Sequence, residues 1–270
     1  MRSIAFTCVL IALLGPSFGK NKSNVSIQSK NILFLLDVSL SMNTRDVSPS
    51  RLEKAHTIIN NIVNQNPTDQ FGIVAYTTGA SIVCPLTYDS ETFLVFAHTA
   101  STSMFDNTGT NTYDALRLSN EYLSTYNKEG NTKPSIVLLL TDGESIDENT
   151  SRNKIDAFSS FNIIGIGTET GGKIPYQKTY KKDSNGDYAL SLLQRESLKN
   201  LTTVTQANYY EVSDLQNNEP ALYSNIRNYK GESSGISKID VTGNKFYYFL
   251  YIALGLIILD VLITIKTIEI

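Results

Sequence analysis

The chain of 270 residues contains no Trp, two His and two Cys. Each scarcity removes a class of chemistry. Cys8 lies inside an N-terminal apolar run. If that run is a cleaved leader only Cys84 remains, which leaves neither an internal disulfide nor a zinc-thiolate cluster. Cys84, within IVCPLT, is expected to pack as a small buried apolar residue. His56 falls between the charged and apolar faces of a helix and His98 ends another, so both are read as structural. There is no Gly-x-Ser-x-Gly elbow and no phosphate-cradling glycine loop. The formal charge is −3 with no long basic run, which argues against nucleic acid as a main partner. No enzyme activity is expected from this inventory.

What the chain does have is apolar sequence at both ends. Met1 and Arg2 lead into IAFTCVLIALL, a Gly-Pro break, and the small residues Ser17 and Gly19. This is the layout of a secretory signal peptide over residues 1–19, the alternative being an uncleaved anchor. Near the other end, residues 246–265 read FYYFLYIALGLIILDVLITI, flanked by Lys245 and Lys266, with Tyr247, Tyr248 and Tyr251 at one side like an interfacial belt. That pattern predicts a transmembrane helix followed by a cytoplasmic tail, 266–270. Asp260, toward the inner end of the span, is read as structural or as an assembly contact. The orientation places the main domain of a single-pass membrane protein outside the cytoplasm.

Between an N-terminal linker (20–30) and a Gly/Ser/Lys-rich tether (230–245), residues 31–229 alternate helices with continuous apolar strands. Strands are expected at NILFLL, PSIVLLLT and FNIIGIGT, with QFGIVAYTT and ASIVCPLT as a hairpin-like pair. Helices are expected after Pro49, near Ser90 to Ala97, across NTYDALRLSNEYLSTY, near Arg152 to Phe158, across RESLKNLTTVTQ, and from Asp214 to Tyr229. A polar insert from Glu169 to Leu190 reads as an irregular hairpin. The predicted class is α/β: a doubly wound, mostly parallel, Rossmann-like sheet with helices on both faces.

In such sheets, sites form beyond the carboxyl ends of strands at the topological switch point. Asp37 and Asp142 both stand at such ends, in LLDVSLSM and LLLTDGES. Ser39 and Ser41 follow Asp37 at i+2 and i+4, and TGTNT, Thr108 to Thr112, adds hydroxyls. Two carboxylates with several hydroxyls, and no His or thiolate, suit a hard divalent cation. Each motif alone is equally consistent with ordinary turn chemistry.

Together DVSLSM, GTNTYDAL and LLLTDGES resemble the metal-ion-dependent adhesion site (MIDAS) of von Willebrand factor type A domains. The resemblance implies Asp37, Ser39, Ser41, Thr110 and Asp142 as metal-site residues, with Thr112 in reserve, and Mg²⁺ or Mn²⁺ as the cofactor. A partner protein's Asp or Glu would complete the shell. DVSPSRLEKA, DQFGIVAYTTGASIVCPLT and GIGT are further similar to the Bat-type membrane-anchored proteins linked to stress or aerotolerance. That likeness implies other Bat-type subunits and a MoxR-type AAA+ ATPase as partners in an envelope complex. Leu40 departs from the pattern, standing where many type A domains have Gly. Two other readings stay open: a metal-dependent surface adhesin for a host or matrix protein, and a Mg²⁺-dependent hydrolase.

Overall fold

The computed structural model describes residues 2–268 except 15–16, 25–28, 106–108, 132, 145, 147–149, 151–154, 215–216, 230–237 and 245. In chain order the elements are α1 (Arg2–Leu13), β1 (Ser17–Asn24), β2 (Asn31–Asp37), α2 (Arg51–Gln65), β3 (Gln70–Tyr76) and β4 (Ala80–Thr87). Then come α3 (Ser90–Thr99), α4 (Thr112–Lys128), β5 (Ser135–Thr141), β6 (Ser160–Ile166) and four two-residue strands, β7 (Gly172–Lys173), β8 (Pro175–Tyr176), β9 (Thr179–Tyr180) and β10 (Leu190–Ser191). The chain closes with α5 (Arg195–Thr205), β11 (Asn208–Val212), α6 (Glu219–Asn228), β12 (Lys238–Asn244) and α7 (Phe246–Ile268). Two compact units result: Gln28–Gly235, and the two ends of the chain together.

The larger unit is built on a six-stranded sheet of order β11-β6-β5-β2-β3-β4. Only β4 runs antiparallel, to its hairpin partner β3; the other neighbours are parallel. The uninterrupted apolar runs explain this arrangement. Every residue of β2, β3 and β5 is buried, so each strand needs cover on both faces. Ile32, Phe34 and Leu36 pack with the apolar stripe Leu52, Ala55, Ile59 and Ile62 of α2, and with α3 and α6. Leu33 and Leu35 face the other way, onto Leu116 and Leu123 of α4 and Leu198 and Leu201 of α5. The chain leaves β2 toward β3 on one side and has β5 on the other, so the switch point falls at the carboxyl end of β2.

The expected class and most elements are found, with three differences. Residues 151–154 of the helix expected near Arg152 to Phe158 lie outside the described residues, and Ile155 to Phe158 form a turn rather than a helix. The polar insert folds as two small antiparallel sheets, β7 with β10 and β8 with β9. Parts of the expected linker and tether are strands: β1 pairs antiparallel with β12.

In the terminal unit α1 packs on α7, with Ala12 and Ala253 buried. Among the described residues no helix is long and apolar enough to cross a membrane.

Candidate functional site

Parallel pairing of Leu36 with Leu140 sets the ends of β2 and β5 side by side. Asp37, the last residue of β2, and Asp142, just past β5, are each 1% exposed. Asp37 is held from two directions. Its Oδ1 accepts the Ser39 N–H at 2.9 Å, and its Oδ2 accepts the Thr141 hydroxyl at 2.7 Å. The chain then turns through a short 3₁₀ segment, Leu40–Asn43, which accommodates Leu40 in place of glycine. This turn brings the Ser39 and Ser41 hydroxyls within 2.9 Å of each other.

The loop before α4 is tied to the end of β3, where the Asn111 N–H donates to the Thr77 carbonyl at 2.5 Å. The Asn111 side chain also caps α4 through the Asp114 N–H. Thr110 consequently lines one cleft of about 230 Å³ with Ser39 and Ser41. Thr112 is placed differently: it is fully buried, and its hydroxyl points to the Tyr76 hydroxyl at 3.5 Å. Of the two candidate threonines, the cleft therefore takes Thr110.

Asp142 has a partner that sequence reasoning passed over. Arg51, the first residue of α2, has a side chain with no exposure. Its Nη1 donates to Asp142 Oδ2 at 2.8 Å and to Ser191 Oγ at 2.6 Å. Its Nε and Nη2 grip the two Asp46 oxygens, both at 2.8 Å. Asp46 Oδ2 also accepts from the Thr168 N–H and hydroxyl. Burial works against the Asp46 charge, but the Arg51 hydrogen bonds and charge outweigh it and hold that carboxyl below its usual range. In sequence, an Arg opening an amphipathic helix looks like a solvated residue; its burial under the strand ends is purely tertiary.

The geometry fits a cation. Burial first, and the neighbouring Asp142 second, push Asp37 up to about 7. Among the described residues, one guanidinium pairs with Asp142 and no ion pair reaches Asp37. Among the described residues no group of three or more His, Cys, Asp or Glu comes together, so a bound metal would have to draw on hydroxyls. Two acids and three hydroxyls are the donor set a hard divalent ion accepts.

The charged residues among those lining the cleft are Glu144 and Lys181. Burial and Asp142 raise the Glu144 carboxyl, which is also hydrogen-bonded to Ser191. Gly143, between the two acids, has φ +83°, and a Cβ there would stand 2.8 Å from Leu198. The Thr-Asp-Gly turn therefore needs its glycine.

A doubly wound sheet with strand-end acids and hydroxyls at the switch point is the architecture of von Willebrand factor type A domains, and this chain is similar to them over part of its length. Residues 32–144 match the family model described as von Willebrand factor type A domain. The fold resembles BatB of Bacteroides thetaiotaomicron, at TM-score 0.65 and 23% identity over 74% of this chain and 98% of that one. It likewise resembles an aerotolerance-related membrane protein from Bacteroides fragilis, at TM-score 0.66 and 22% identity over 74% of this chain and all of that one. An uncharacterized protein of Borreliella burgdorferi is 36% identical over 91 residues, which is 33% of this chain and 27% of that protein. The chain thus matches about a quarter of that relative's length.

Proposed function

We propose that the domain binds Mg²⁺ or Mn²⁺ through Asp37, Ser39, Ser41, Thr110 and Asp142, and uses the site to hold a carboxylate of a protein partner. The observation that carries this reading is the pair of buried acids, of which only Asp142 has a guanidinium counter-charge. When bound, the metal supplies a Lewis-acidic position that two carboxylates neutralise without saturating. Asp37, already engaged by Ser39 and Thr141, is suited to bind through water. Ser39, Ser41 and Thr110 present their hydroxyls to the cleft. Arg51 holds one oxygen of the Asp142 carboxylate, and the other accepts the Glu144 N–H at 3.3 Å. The hydroxyls and acids gathered here are donors for a cation, and the reading is therefore a binding module.

The setting proposed is an envelope complex of Bat-type subunits served by a MoxR-type ATPase, with α7 as the membrane anchor and the domain on the extracytoplasmic side. Support comes from the fold likeness to an aerotolerance-related membrane protein. It also comes from the exposed apolar surface of α7, where Leu250, Ile252, Leu254, Ile257 and Ile258 all face outward. Residues 1–19 are proposed as a leader; the strand pairs from Lys20 with Thr242 onward lie beyond that cleavage point. The test is capture of partners from detergent extracts in Mg²⁺ and in EDTA, with Asp37→Ala as control. Capture should occur only for the unaltered protein in Mg²⁺. An identical set of partners in all three conditions overturns the reading.

A further inference from the structure

The insert between β6 and α5 reaches the metal cleft, and it does so through a fixed residue. Lys181 directly follows β9 and is held by backbone hydrogen bonds on both sides. Its N–H donates to the Ile174 carbonyl at 2.9 Å, and its carbonyl accepts the Ala189 N–H at 2.9 Å. Ile174 and Lys181 together form the insert's wall of the cleft, opposite Ser39, Ser41 and Thr110. The base of the insert is locked to the metal side, because Arg51, which holds Asp142, also donates to the Ser191 hydroxyl and carbonyl.

Lys181 makes no ion pair among the described residues. The other charged group on the cleft wall, Glu144, is bonded to Ser191 instead. Behind the hairpin, Arg45, Lys173 and Lys178 line a second cleft of about 470 Å³ together with Asp46, which is paired with Arg51. Lys173 lies over the Tyr180 and Tyr188 rings, while Arg45 and Lys178 have no ion pair among the described residues. Both sides of the insert thus present cations, although the whole chain carries a net −3. The acids Asp183 and Asp187 sit away from these walls, in the turn that Asp183 closes by accepting from Asn185 N and Asp187 N.

We infer that the partner segment is acidic at two positions: one carboxylate goes to the metal site and a second is received by Lys181. This rests on the metal-site reading above. It narrows the partner to an acidic peptide segment and makes the insert its specificity determinant.

The test uses the full chain in detergent and two labelled Gly/Ser peptides, one carrying a single Glu and one carrying two Glu spaced by three residues. Binding is read by anisotropy in Mg²⁺ and in EDTA. In Mg²⁺ the two-Glu peptide should bind about fivefold tighter, the upper range for an exposed ion pair. Lys181→Glu should abolish that advantage, with Mg²⁺ affinity measured for each variant by calorimetry and Mg²⁺ kept saturating throughout. Lys182→Glu, the same charge change one residue away and off the cleft, should keep it. Metal-dependent binding with no preference between peptides, or a preference that survives Lys181→Glu, overturns this inference and leaves the metal site standing. Absence of metal-dependent binding for both peptides overturns both.

Discussion

Arg51 concentrates more of the site's energetics than any residue the sequence singled out. Its guanidinium is buried between Asp46 and Asp142, with five hydrogen bonds to those acids and Ser191. Breaking a buried pair by removing one partner strands the other charge, at about 3–5 kcal/mol. Arg51→Met should therefore lower the free energy of unfolding by about that amount in urea titration. The double variant Arg51→Met, Asp46→Asn should recover part of the loss, since one stranded charge is gone. His56 offers a different test. It is buried against His98, ring centroids 5.5 Å apart, and its Nε2 has no hydrogen-bond partner. Burial, then the His98 charge, lower its pKa below 6.5. The unfolded chain thus takes up a proton at higher pH than the native one, and stability falls as pH drops below about 6.5. His56→Gln should flatten the slope of stability against pH between about 7 and 5, measured by denaturant midpoints.

At the level of elements, the pattern of the sheet was readable because it is local. Seven-residue apolar runs such as NILFLLD and SIVLLLT have no polar face, so they require a doubly covered strand. The capped, amphipathic helices α2 and α4 were readable for the same reason, from Ser50 and Asn111 onward. The insert was not, since four strands of two residues each carry no periodicity, and its base is closed by pairing Gly172 with the distant Ser191. Its anchor is a glycine: Gly171 has φ +63°, and a Cβ there would meet the Ser191 carbonyl oxygen at 2.2 Å. Gly171→Ala should loosen the insert from the site. Hydrogen exchange at the Lys181 and Ala189 amides should accelerate, while amides of β2 and β5 keep their protection.

Over the whole molecule, a cation bound by the native state alone adds stability by mass action. At a hundredfold excess over its dissociation constant the gain is about 2.7 kcal/mol. Mg²⁺ should raise the thermal midpoint of the unaltered chain relative to EDTA, and Asp37→Ala should erase the difference. The anchor proposed for α7 predicts that the full chain stays with membranes after alkaline carbonate extraction, whereas a chain ending before Phe246 is released. Sequence by itself determined the sheet, its faces, the strand-end acids Asp37 and Asp142, and the hydroxyls spaced to follow the first of them. These follow from short-range rules, namely apolar periodicity and the reach of a residue two or four positions on. Tertiary structure alone decided that Thr110 and not Thr112 lines the cleft, that Arg51 is buried against Asp142, and that Lys181 closes the far wall. Arg51 stands 91 positions from Asp142, and Lys181 and Thr110 are likewise far in the chain from Ser39. Chain distance carries no signal about such contacts; parallel strand register and the packing of α2 under the sheet create them.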